Sequence, residues 1–152
     1  MKLIYLTSRF PYPINKGDKL RSFNQIKQLS SSCDIYLISL SDKLVKSSDV
    51  GQLKNYCKEI YIYQISFFTR TLNLLKTFIN NRPFQVNYFY CSSIQKKIDE
   101  KISHIKPDHI FCQLVRTALY VKDNHSIPKT LDYMDALSKG LERRIQISNF
   151  LE

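Results

Sequence analysis

Apolar positions along this chain fall into two alternating patterns. LIYL at 3–6, DIYLISL at 34–40 and EIYIYQI at 59–65 are short, rich in isoleucine and tyrosine, and bounded by polar or turn residues, which predicts strands. The first has no polar alternation, as expected of a strand covered on both faces of a parallel sheet. HIFCQ at 109–113 and KTLDY at 129–133 are weaker strand candidates, closely preceded by Pro107 and Pro128.

Between these runs the period lengthens to that of a helix. Ile94, Ile98, Ile102 and Ile105 recur at i, i+4, i+8 and i+11 with charged residues between them, and Ser92 with Gln95 predicts a capping box. Phe68, Leu72, Leu75 and Ile79 repeat the pattern, and Phe67, Leu74 and Phe78 widen it. So broad a face predicts deep packing. A helix lying on a membrane surface is the alternative, since Arg70, Lys76 and Arg82 accompany it, but its polar face is thin for that role. Leu20, Phe23, Ile26 and Leu29 step by three and predict a helix with a broad buried stripe. Residues 47–56 give a weak helical signal interrupted by Gly51, and residues 136 onward a further one interrupted by Gly140. NNRPFQVNYFY at 80–90 reads as an apolar irregular insertion, a loop or extra turn. Strand and helix thus alternate, which predicts an α/β fold: a three-layer, Rossmann-like domain with a mainly parallel sheet.

Composition narrows the class. A length of 152 residues with 43% apolar content suits one domain, residues 1–152, with a continuous core. Lys and Arg outnumber Asp and Glu by 23 to 13, a formal charge of +10, so anions are drawn to the surface. The cations are scattered, with neither a dense basic helix nor an aromatic RNA-type motif, and specific nucleic-acid binding is not expected. Cys33, Cys57, Cys91 and Cys112 are far apart and form no metal-ligand grouping, so no metal site is expected. With no signal peptide and no apolar run near about 18 residues, the chain reads as cytoplasmic.

The candidate chemistry lies in SRFPYPINKGDKLRS at 8–22, the loop between the first strand and the first helix. In an open α/β sheet, ligands gather beyond the carboxyl ends of the strands. Pro11 and Pro13 stiffen the loop. Gly17 can take a positive φ or admit a ligand to the backbone, and Asp18 is the expected N-cap. Free helix amides flanked by Lys16, Lys19 and Arg21 predict a phosphate-binding end. Alternatively Gly17 only makes the turn and the cations are simply solvated. A Walker A loop and a G-x-G-x-x-G fingerprint are both absent, which disfavours P-loop and dinucleotide enzymes, and no cofactor is expected.

The opening MKLIYLTSRFPYPINKGDKLRSFNQIKQLS resembles the start of bacterial family 4 glycosyltransferases, in particular sugar transferases of exopolysaccharide assembly. CQLVRTALYV at 112–121 and LDYMDALS at 131–138 resemble later segments of that group, so the likeness runs in order along nearly the whole chain. The resemblance implies one half of a GT-B architecture, the amino-terminal, acceptor-side domain, with the donor-binding domain outside these residues. The chain stops at NFLE inside a helical pattern, consistent with an isolated half that is inactive alone. The implied activity is retaining transfer of a sugar from a nucleotide-sugar donor to a glycan or lipid-linked acceptor in polysaccharide biosynthesis, typically without a metal. Lys16, Gly17, Lys19 and Arg21 would then face diphosphate or an acidic acceptor, with Asp18 capping the helix. The family's glycine pair in this loop is here Lys16 and Gly17. Arg116 would contact the acceptor, or else be an ordinary surface arginine; Asp135 and Ser138 would bind acceptor or cap a helix. An anionic membrane surface is an implied partner, with peripheral, salt-sensitive attachment at the inner face. The rival reading from another class is a non-catalytic phosphate- or nucleotide-binding α/β module; its receiver version lacks the acidic cluster, since Thr7, Ser8 and Arg9 follow the first strand.

Overall fold

The computed structural model of this protein describes residues 1–80 and 84–133. Five parallel strands, β1 (Lys2–Thr7), β2 (Asp34–Ser41), β3 (Glu59–Gln64), β4 (His109–Gln113) and β5 (Lys129–Asp132), form one sheet in the order β3-β2-β1-β4-β5. Leu3 pairs with Ile35 on one side and His109 on the other, and every pairing in the sheet is parallel. The helices are α1 (Gly17–Leu29), α2 (Ser47–Gly51), α3 (Phe67–Asn80), α4 (Phe84–Phe89), α5 (Ser92–Ile105) and α6 (Val115–Ala118). This is the expected Rossmann-like α/β arrangement.

The unbroken apolar run of β1 feeds two cores at once, because successive strand side chains point to opposite faces. Leu3 and Tyr5 join Ile26 of α1, Ile35, Leu37 and Leu53. Ile4 and Leu6 join Ile38, Leu40, Ile110 and all four isoleucines of the α5 stripe. Each such aliphatic side chain contributes about 1.5–3 kcal/mol on burial, so the central strand carries both layers.

Four local expectations need correction. The α1 stripe is narrower than read: Ile26 and Ser22 are fully buried, whereas Leu20 is 43% exposed. Residues 84–89, expected as loop or extra turn, form α4. Cys91, in extended conformation, is the N-cap of α5 and makes no side-chain capping bond. The reason lies in Tyr120, whose hydroxyl accepts the Cys91 amide at 2.9 Å and donates to the Phe89 carbonyl at 2.7 Å. Gln95, freed from the expected capping box, donates to Asp99 and to the Tyr120 carbonyl. The largest departure is α3, whose first turn is not deeply packed: Phe67 and Phe68 stand in solvent.

Candidate ligand-binding site

The chain runs from β1 outward to β2 and β3, then returns to β4 beside β1 and continues to β5. The direction of travel therefore reverses between β1 and β4. The loop after β1 leads to α1 on one face, and that after β4 leads to α6, whose following residues Tyr120 and Val121 pack on the other face. Connections departing to opposite faces open a crevice at the carboxyl ends of these two strands, the place where open α/β sheets bind ligands.

Thr7, Ser8 and Arg9 form the β1 side of this crevice, and Gln113, Leu114 and Arg116 the β4 side. Leu114 has φ 66° and ψ 151°, a region that side chains other than glycine rarely enter. This bend starts the single turn of α6 that carries Arg116. Across the crevice the Gln113 amide donates to the Asp18 carbonyl at 2.6 Å, and the Ser22 hydroxyl donates to the same oxygen at 2.8 Å.

Cations dominate the electrostatics. Arg9 donates to the Asp18 carboxylate at 3.1 Å. Burial lowers the Lys19 ammonium from its ordinary value; Asp18 opposes that shift, and the charges of Lys16 and Arg9 reinforce it. Burial likewise lowers Arg116, reinforced by Arg9 and opposed by Asp18. Lys19 thus feels Lys16, Arg9, Asp18 and Asp42, and Arg116 feels Arg9 and Asp18, so that Arg9 and Asp18 act on both cations. The Arg116 guanidinium lies over the Phe89 ring, 5.1 Å from its centroid, yet among the described residues its buried Nη1 has no hydrogen-bond partner. The buried Thr7 and Ser8 hydroxyls have none either. Leaving such groups unmade costs about 1–3 kcal/mol each, which folding alone gives no reason to retain. The arrangement has donors and positive charge to offer an anion.

Of the residues read from the sequence, Lys16, Asp18, Lys19 and Arg116 are brought together. Arg21 is not with them: its Nε and Nη2 donate to the two oxygens of Asp132 at 2.9 and 3.0 Å. Gln25 joins that cluster, donating to Asp132 at 3.2 Å while accepting from the Tyr5 hydroxyl. Arg21 therefore ties α1 to the end of β5. Asp18 does not cap α1; Lys16 occupies that position, and Asp18 serves as counter-ion to Arg9 from the first turn. Asp135 and Ser138 lie outside the described residues. Sequence reading missed Thr7, Ser8, Arg9, Gln113 and Phe89 as site residues. Their signal was position: Thr7 and Gln113 end two strands whose adjacency no local pattern reveals, Ser8 and Arg9 follow the first of them, and Phe89 ends α4.

Gly17 is the first residue of α1, exposed, with no positive φ, and a Cβ there would meet nothing within 4 Å. Neither a left-handed turn nor close approach of the protein's own backbone explains it. Replacing Gly17 by Ala is expected to raise stability by about 0.4–1 kcal/mol through the unfolded state, measured by urea denaturation. A loss of stability would show that the helix start is not as described. Pyrophosphate affinity of the same variant, by calorimetry, reports whether a ligand needs the space beside Gly17.

No protein-family model matches this chain, and no curated protein matches it. Among solved structures it is similar to the crystal structure of TcCGT1 in complex with UDP, at 14% identity and a TM-score of 0.47, over 85% of this chain. The matched region is 27% of the TcCGT1 chain, so this chain spans about a quarter of that structure's length.

Proposed function

We propose that this chain is the acceptor-side domain of a retaining glycosyltransferase of GT-B architecture, acting in polysaccharide biosynthesis. The observation that carries the proposal is the crevice between β1 and β4, where Thr7, Ser8 and Arg116 donors that have no partner among the described residues meet a surplus of cations. That chemistry suits a diphosphate. The motif likeness of residues 1–30, 112–121 and 131–138 to exopolysaccharide sugar transferases supplies the reaction class.

In this reading a nucleotide-sugar donor is held chiefly by a second domain outside these residues, and the crevice holds the acceptor, a glycan or lipid-linked diphosphate. Charge builds on the leaving diphosphate as the glycosidic bond breaks, and fixed cations facing it lower the barrier. Arg116 offers a planar fork for two phosphate oxygens, while Lys16 and Lys19 act as point charges. Arg9 is held by Asp18, so its contribution is field more than contact. Asp135 and Ser138, past β5, belong to the acceptor side in this proposal.

The test pairs binding with turnover. The 152-residue chain is expected to retain a lipid-linked diphosphate in a pull-down and to form no glycosylated product from a panel of nucleotide sugars. Product formed by the chain alone would overturn the division between two domains; failure to retain the acceptor would overturn the functional reading. Preference for free nucleotide over the lipid-linked diphosphate would favour the second reading, a non-catalytic nucleotide-binding module.

A further inference from the structure

Apart from the crevice, the carboxyl edge of the sheet carries an uncovered apolar patch. Phe67 is 75% exposed, Phe68 73% and Leu72 41%, all on α3, and Leu44 in the loop after β2 is 86% exposed. Single exposed apolar residues are ordinary, whereas a group on adjoining segments marks an interaction surface. Arg70 joins the segments. Its guanidinium lies 5.9 Å from the Phe67 ring centroid, and its Nη1 is 3.6 Å from the Asp42 carboxylate and donates to the Tyr88 hydroxyl at 3.1 Å. The start of α3 and the loop at 42–46 are thus held together by a buried arginine. In that loop Lys43 and Lys46 are exposed on either side of Leu44, and its acidic residue, Asp42, is committed to Arg70.

We infer that this surface docks on an anionic lipid bilayer, with Leu44, Phe67 and Phe68 at the headgroup–acyl boundary and Lys43 and Lys46 against lipid phosphates. Charge decides the occupant: apolar anchors bordered by lysines, on a chain of formal charge +10, complement a negative interface. Among the described residues no helix is long and apolar enough to cross a membrane, which fits lying on the surface. The patch begins at the carboxyl ends of β2 and β3, the same sheet edge as the crevice. Docking there presents the crevice to groups at headgroup depth. In this respect the inference rests on the lipid-linked acceptor proposed above, although the docking surface has its own evidence.

The chain contains no tryptophan, so Phe67→Trp creates a single reporter. Its emission is expected to shift to the blue and to be quenched by brominated acyl chains with phosphatidylcholine–phosphatidylglycerol vesicles, and not with pure phosphatidylcholine. The double variant Phe67→Ser, Phe68→Ser should partition onto the anionic vesicles about tenfold less, and Lys43→Glu with Lys46→Glu at least about fivefold less. Unshifted emission, or serine variants that partition like the parent, would overturn the inference. Lys27→Glu, exposed in the last turn of α1 away from this edge, should partition nearly as the parent, and a fall equal to that of the Lys43 and Lys46 changes would overturn the assignment to this patch. Vesicle docking without pyrophosphate binding would remove the transferase reading and keep this surface; the reverse result would remove this surface alone.

Discussion

Replacing Arg116 by alanine is expected to weaken pyrophosphate binding by about tenfold to a hundredfold, the range of a hydrogen bond to a charged group. The argument rests on what the side chain already has. Phe89 lies against the guanidinium, Asp18 and Arg9 set its field, and Nη1 keeps a buried donor with no partner among the described residues. Removing it abolishes the fork while taking away a group that folding left unsatisfied, so stability should move by no more than about 1 kcal/mol. Arg116→Lys restores charge without the fork and should recover only part of the affinity. Calorimetry with pyrophosphate, alongside thermal unfolding of each variant, separates these effects. Unaltered affinity in Arg116→Ala would take this residue out of the site.

The largest effect on stability is expected at Ile98. It is wholly buried at the middle of the α5 stripe, packed with Ile4, Leu6, Ile38 and Ile110 beneath the sheet. Ile98→Ala should cost about 2–5 kcal/mol, combining lost transfer energy with the cavity left behind. Against a total of about 5–15 kcal/mol that is a large share. Leu20→Ala, on the exposed side of α1, should change stability by less than about 0.5 kcal/mol. Urea denaturation of both variants provides the contrast, and equal, small losses would mean that α5 does not cover the sheet as described.

The two helices also show what local pattern can and cannot convey. The α5 stripe was legible because four isoleucines at helical spacing, separated by charges, leave one choice of buried face. The strands were legible for a similar reason, down to the unpolarised run of β1 that marks a central position. In α3 the same periodicity misled, since a wide apolar face says that something must cover it without saying that the covering belongs to this chain. Caps were misread where a distant group intervened: the Tyr120 hydroxyl accepts the amide of the N-cap residue Cys91, the kind of bond that a capping box would have given to the Gln95 side chain. The cationic character of the first loop was readable from Lys16 and Lys19. Its division of labour was not, because Arg21 finds Asp132 across 111 residues and Arg9 finds Asp18 only once the loop is folded. Thr7 and Ser8 carried no signal until strand order put β4 beside β1.

The paired hydrogen bonds onto the Asp18 carbonyl, from Gln113 and Ser22, have a thermodynamic corollary. The Gln113 bond clamps the two walls at a set aperture before any guest arrives, and the Ser22 bond, made within α1, fixes the carbonyl that it grips. A guest entering such a frame is spared much of the ordering entropy that association otherwise demands. Affinity there should consequently be governed by complementarity of size and charge, with little contribution from loop closure.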